Sequence, residues 1–575
     1  LIFPAEAASL TSDPTISRES ILRQFALPLL LALAMTFLNA LKAPCIDDTA
    51  YLAVARQIAS RPLDPYGFQQ FWYDYPQPAN EVLAPPVLPY WLGLGIRLLG
   101  ERPVLLKLWL LPIALLFCYS TRQLLQRFAR GSETPLLVGI AFSPSVLPAF
   151  DFMLDIPTLA IGATAVAIFL DALDRDSWPH VVLAGLLGGL AIQTKYTGGI
   201  ISPVLLAASL IRGRPLKGLA ANAISAAIFI GWEGFTRWKY GESHFLFALN
   251  SSGSDVIARL KTLLKAAVTL QGTLSPPLVL LAVVTLIKRR WIAPVLSGLI
   301  VFGLMVLALT PDTRDSSWHP DYAQPGIGVR AFIEWPWGLA AVAAVAIVAI
   351  RLVVRWRRGS IRFKLRWPLA FLLIWLSIEW AGYLVMTPFP ASRRLLGIEF
   401  VSTLLVAYLA SRACRGATGR QRLWTAIVPG VCLGLFFELV DISNTWLEPQ
   451  AVDAAADWIE QQHASGKIWY TGHWGFQYAA ERHGFLPLAA GYTELHEGDC
   501  LIVAPAWMAQ QEFVEDGRMG PVEHVVVEDR MLRLRTLPSY YGGSHAIEWW
   551  PRPLFDARIY RIRATWTPAR SPATN

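Results

Sequence analysis

For most of its length the chain alternates long apolar runs with short polar loops. Apolar runs cover 24–41, 103–125, 134–150, 156–172, 180–194, 199–211, 216–235, 265–287, 291–309, 332–354, 367–387, 395–411 and 423–440. Hydropathy therefore predicts about thirteen membrane helices. Lysine and arginine mark the inner ends: Arg18 and Arg23 before the first run, then Arg122, Arg127 and Arg130, Arg212, Arg214 and Lys217, Lys288-Arg289-Arg290, the basic stretch 351–366, and Arg412 to Arg422. Basic loops belong on the cytoplasmic side. The first helix reads as an uncleaved signal anchor. Parity works if 84–99, apolar but short and proline-rich, is re-entrant or juxtamembrane; a full crossing is the alternative. Arg393-Arg394 is the basic pair that this count leaves outside.

From Asp441 the pattern changes. Lys467–Tyr470, Cys500–Val503 and His524–Val527 read as strands, and Val452–His463 and Phe476–His483 as helices, which predicts a small α/β unit. The expected fold class is thus a polytopic α-helical membrane protein with a C-terminal soluble α/β domain. Its expected division is a cytoplasmic tail 1–20, a membrane domain 21–441 with an outer loop 42–83, and an extracytoplasmic domain 442–575.

Composition agrees. The 575 residues are 54% hydrophobic and 16% charged, with a mean hydropathy of +0.41; soluble proteins carry about 25% charged residues. The net charge of +8 does not indicate nucleic acid, because the basic residues cluster between apolar runs. The five cysteines lack metal spacing, and Cys45 with Cys500 is the one pair that shares the outer compartment.

Chemistry gathers on that outer face. Asp47-Asp48 follows the first helix, where ionisable groups are expensive to keep and so suggest function. An amphipathic stretch, 49–60, carries Tyr51 and Arg56. Trp72 belongs to an aromatic cluster, 71–75, that suits either membrane anchoring or sugar stacking. Asp151, Asp155, Lys195, Arg393 and Arg394 fall at the same rim. Taken singly, each has a structural reading: Asp155 as a helix cap and Lys195 as a snorkelling cation. Together they suit transfer from a lipid phosphate, with a carboxylate as general base and cations neutralising the leaving phosphate.

The chain also resembles a family. Asp47-Asp48 with Tyr51, Ala55 and Arg56 resembles the first outer loop of the GT-C superfamily, nearest to protein O-mannosyltransferases and bacterial aminoarabinose-to-lipid-A transferases. Pro85-Pro86-Val87-Leu88-Pro89-Tyr90-Trp91-Leu92 resembles that group's Pro-Pro-Leu-x-Tyr-Trp segment, Leu154–Pro157 its second acidic loop, Thr194-Lys195 its Thr-Lys-Gly motif, and Arg393–Leu396 its Arg-Tyr-Leu-Leu segment. The resemblance is good over 40–215 and thin beyond. It implies an inverting glycosyltransferase of the inner (plasma) membrane that uses a polyprenyl-phosphate sugar donor and a glycan, lipid or protein acceptor. Asp47 would be the catalytic base, with Asp48 and Asp155 beside it. Lys195, Arg56, Arg393 and Arg394 would bind donor phosphate, and Tyr51, Trp72 and Tyr90 substrate. The resemblance implies an enzyme that is metal-independent or weakly metal-dependent; Glu81 and His244 would be ligands for a divalent cation, as in some relatives, or an accidental pair. Asp48 stands where the family has Glu, Ala84 where it has Lys or His, and Ala50 where the aminoarabinose transferases have Arg, which weakens the case for a lipid A sugar. Two other classes remain: a lipid-linked glycan transporter, expected to carry midplane charges and inverted repeats, and a glycan-binding scaffold using the tryptophans of the C-terminal unit.

Overall fold

The computed structural model describes residues 18–570, apart from 302–335, 355–365 and short breaks elsewhere. The loop 310–331, much of the run 291–309, and the arginines of 351–364 lie outside the described residues.

Six described helices are long and apolar enough to cross a membrane: Pro103–Phe128, Asp155–Arg175, Pro215–Tyr240, Trp367–Met386, Ser392–Ala413 and Gly416–Gln461. A seventh span results if Val256–Leu274 and Pro276–Leu286, bent by 69°, count as one. Other apolar runs fold as shorter helices. The run 134–150 keeps a helix only over Glu133–Ala141 and then turns through a segment containing Pro144 and Pro148, which cannot donate backbone hydrogen bonds. Residues 84–99 yield Val87–Leu99, 13 residues, or about 20 Å at 1.5 Å per residue, short of a bilayer core of about 30 Å.

Trp178–Ile192 packs between Asp155–Arg175 and Pro215–Tyr240. Its glycines permit this approach: a Cβ on Gly185 would stand 2.7 Å from the Ala221 carbonyl oxygen, and one on Gly188 2.6 Å from Ser225 Oγ. Ser225 Oγ donates to the Gly185 carbonyl at 2.8 Å. Small residues that let helices approach closely are a recurring device of membrane bundles.

Asp155–Arg175 and Ser392–Ala413 are the most enclosed of the six long helices, 72% and 78% buried, so both run through the centre of the bundle. Their N-terminal ends place Asp155, Arg393 and Arg394. Beside them the helix Asp48–Ser60 buries Tyr51, Leu52, Val54, Ala55 and Ile58 and lies against Val87–Leu99.

Gly416–Thr445 leads almost directly into Leu447–Gln461, which joins the bundle to the C-terminal sheet. That sheet has five strands in the order Leu486–Pro487, Ile468–Thr471, Cys500–Val503, Phe555–Ile562 and Met519–Val527. The first three are parallel; Phe555–Ile562 runs antiparallel to both its neighbours. Leu447–Gln461 and Trp474–Arg482 cover one face, burying Val452, Ala455, Tyr470, Phe476 and Ile502 between them. The cysteines are free thiols, so no disulfide joins Cys45 to Cys500.

Candidate active site

The site begins at a strained turn. Ile46 has φ +47°, a left-handed conformation that is uncommon for a β-branched residue and costs on the order of 1–3 kcal/mol. The helix Asp48–Ser60 starts directly after it, with Asp47 at the N-cap position and no side-chain cap bond. The two neighbouring carboxylates diverge.

Asp47 accepts a hydrogen bond from Arg393 Nη2 at 3.0 Å, and its side chain is 17% exposed. Arg393 Nη1 lies 3.7 Å from Asp155 Oδ2. Asp155 is also paired with Lys195. Asp155 opens its helix without capping it; its carboxylate is committed to the two cations instead. Lys195 lines this site in an ion pair, so it does not snorkel. A cavity of about 80 Å³ lies against the array, lined by Asp155, Lys195, Arg393, Arg394, Glu379 and Tyr383 among others. Arg394 stacks over the Phe389 ring at 4.1 Å; its buried Nε has no hydrogen-bond partner among the described residues. Tyr51 packs close by, fully buried, where burial and then the Asp47 charge push its phenol pKa upward. Burial lowers the Lys195 ammonium pKa to about 8; the Asp155 carboxylate opposes this, but Arg394 and Arg393 reinforce it.

Asp48 points elsewhere. It is fully buried, with Oδ2 accepting from the Cys45 backbone N–H at 3.1 Å. Its neighbours are Asp151 and Cys45. Burial, then the Asp151 carboxylate, raises the Asp48 pKa well above the usual carboxylate range. Burial would raise Asp151 too, but the ammonium groups of Lys107 and Lys42 outweigh it and hold it low. Lys107 Nζ is 2.6 Å from Asp151 Oδ1. Lys42 Nζ lies 3.1 Å from Glu438 Oε2 and 3.0 Å from Asp441 Oδ2. Cys45, Asp48 and Asp151 form the one described group of three residues spaced to hold a metal ion, but Lys107 already neutralises it.

The expected site residues therefore separate. Asp47, Asp155, Lys195, Arg393, Arg394 and Tyr51 come together. Asp48 does not reach the cavity, because its side chain closes a buried charge network. Arg56 is tied to Glu101 at 2.9 Å rather than to the array. Trp72 is buried against Ala50, Val82 and Trp474, which is packing. Tyr90 donates its hydroxyl to the Pro62 carbonyl at 2.6 Å and meets Trp232 edge-on. Glu81 and His244 sit on helices that pack together, Ala79–Val82 and His244–Ser251. His244 stacks on Tyr196, with Nδ1 3.2 Å from its hydroxyl, and burial lowers its pKa to about 4. The neutral imidazole would suit a metal, but no third ligand among the described residues completes a set around this pair.

Glu379, not among the expected site residues, accepts through Oε1 from Trp375 Nε1 at 2.9 Å at the cavity wall. A carboxylate inside the run 367–387 was the available signal. Tyr541 is a second residue outside the expected set: its carbonyl oxygen accepts from Arg393 Nε at 2.8 Å.

A scan against protein-family models gives no match, and neither does a search of curated protein sequences. Among solved structures, the chain is similar to the archaeal oligosaccharyltransferase AglB from Archaeoglobus fulgidus, in complex with an inhibitory peptide and a dolichol-phosphate. The identity is 13% and the TM-score 0.47, over 82% of this chain and 65% of that one, less than two thirds of its length. It is similar to ArnT from Cupriavidus metallidurans bound to undecaprenyl phosphate: 13% identity, TM-score 0.38, 84% of this chain and 93% of that one. It is also similar to the arabinosyltransferase EmbB from Mycobacterium smegmatis: 14% identity, TM-score 0.33, 90% and 45%. These neighbours are GT-C glycosyltransferases, the group that the outer-loop motifs resemble.

Proposed function

We propose that the chain is an integral-membrane glycosyltransferase that moves a hexosyl or pentosyl group from a polyprenyl-phosphate donor to a hydroxyl acceptor. The observation that carries this reading is the array Asp47–Arg393–Asp155–Lys195 beside a cavity also lined by Arg394. Two carboxylates and three cations, gathered where two central helices begin, suit a charged head group whose lipid tail lies between helices. In the proposed reaction, Asp47 takes the proton of the acceptor hydroxyl as its oxygen attacks the anomeric carbon. The bond from that carbon to the phosphate oxygen breaks, and the electron pair leaves with the polyprenyl phosphate. Lys195, Arg393 and Arg394 stabilise the negative charge on the departing group. Asp155 orients Lys195 and Arg393, and Tyr51 packs beside Asp47. A single displacement of this kind inverts the anomeric centre.

The proposed topology has an odd number of crossings, in the inner membrane. It places the N-terminus in the cytoplasm and both the site and the C-terminal domain outside. The test is Asp47→Asn, which keeps the shape of the side chain and removes its basicity. Turnover should fall roughly 10²–10⁴-fold while detergent-purified protein unfolds at an unchanged temperature. A folded variant with wild-type turnover would sink the assignment.

A further inference from the structure

Arg393 is held by groups from three stretches that are remote from one another in the chain. Nη2 donates to Asp47 at 3.0 Å, Nε donates to the Tyr541 carbonyl at 2.8 Å, and Nη1 lies 3.7 Å from both Asp155 Oδ2 and Met153 Sδ. The Tyr541 contact comes from the C-terminal sheet domain, through the short turn Ser539–Gly542, which sits against Ser392–Leu395.

That turn is anchored through its two tyrosine hydroxyls. The Tyr541 hydroxyl lies 2.8 Å from Asp441 Oδ2 and 3.0 Å from the Pro148 carbonyl oxygen, within donating reach of both. The Tyr540 hydroxyl donates to the Ser145 carbonyl at 2.7 Å. Both rings are fully buried. Upstream, Thr536 Oγ1 donates to Asp441 Oδ1 at 2.6 Å, and the Thr536 N–H donates to Asn444 Oδ1 at 3.0 Å. Asp441 is held in turn by Lys42. The guanidinium thus has its Nε occupied and its plane set by a rigid carbonyl, which leaves the Nη edge for Asp47 and for an anion.

We propose that the Ser539–Gly542 turn is a positioning element of the membrane-domain site, and that Tyr541 sets the orientation of Arg393 and through it that of Asp47. This rests on the donor-phosphate role given to Arg393 above. The Tyr541 side chain touches no reacting group; it acts through Arg393. The C-terminal domain is then part of the catalytic unit, and its turn completes a site that the membrane helices leave open.

The test is a double-mutant cycle on the full-length chain in detergent, with undecaprenyl phosphate as the probe. Tyr541→Phe keeps the ring and removes the hydroxyl that anchors it. Binding should weaken about tenfold, within the range of coupling between contacting residues, with the unfolding midpoint held. In an Arg393→Gln background the same substitution should cause no further loss. A merely structural turn would give the same loss in both backgrounds, and that result overturns the proposal, as does unchanged binding in Tyr541→Phe. Should Tyr541→Phe not fold, Thr536→Val is read in the same way, since it frees the other anchor on Asp441. If the wild-type chain does not bind the probe, the donor reading itself fails and takes this one with it. Wild-type binding without coupling overturns the positioning role alone.

Discussion

Asp47 and Asp48 are adjacent carboxylates with opposite surroundings, and the left-handed backbone at Ile46 precedes the point where they part. One faces a guanidinium at the cavity; the other is sealed among Cys45, Asp151 and Lys107. Their types and positions were legible in the sequence, but their separation was not, because it depends on Lys107 and Arg393 arriving from distant helices. Lys195 makes the site sensitive to pH. Its ammonium form exists below about pH 8 and is lost as pH rises through that value, since burial has lowered its pKa from the ordinary lysine range. With Lys195 as a phosphate ligand, kcat/KM for the donor should fall above about pH 8 in a pH–rate profile, and Lys195→Arg should carry the plateau to higher pH. Lys195→Ala should raise the donor KM on the order of tenfold at pH 7, as expected for loss of a charge-assisted contact. Unchanged donor kinetics in Lys195→Ala would reduce it to a structural partner of Asp155.

At the scale of elements, hydropathy found the helices and misjudged their lengths. The proline-containing run 134–150 is apolar enough to cross but stops early, whereas 84–99 stays short as its prolines led one to expect, and both short helices pack on their neighbours. The strands at Lys467, Cys500 and His524 and the helices around Val452 and Phe476 all form close to their expected positions, because alternation and amphipathic period are local signals. Close helix contact depends on particular glycines. A Cβ on Gly434 would stand 1.9 Å from the Phe142 carbonyl oxygen, where Gly416–Thr445 meets the end of Glu133–Ala141. Gly434→Ala should therefore cost about 1–3 kcal/mol of stability and lower the unfolding midpoint. Gly231→Ala, where the new methyl meets nothing within 4 Å, should leave stability unchanged or raise it by up to about 1 kcal/mol. Equal midpoints for the two variants would contradict this packing.

On the scale of the whole molecule, the candidate site draws on residues 47, 155, 195, 393 and 541, from the segment after the first helix, the bundle and the C-terminal region. The first four carried signals in the sequence because charges beside apolar runs are conspicuous. Tyr541 carried none, since its contribution is a backbone carbonyl. The proposed orientation predicts that a tag fused after residue 575 is cleaved by protease added outside intact spheroplasts; full protection would reverse the topology. The donor itself gives the most direct test. Lipids extracted from the purified wild-type chain should contain, by mass spectrometry, a polyprenyl phosphate carrying one sugar, and this species should be depleted in Arg394→Ala. Absence of any polyprenyl-phosphate sugar from the wild-type extract, or equal amounts in the two proteins, would contradict a donor site at this cavity.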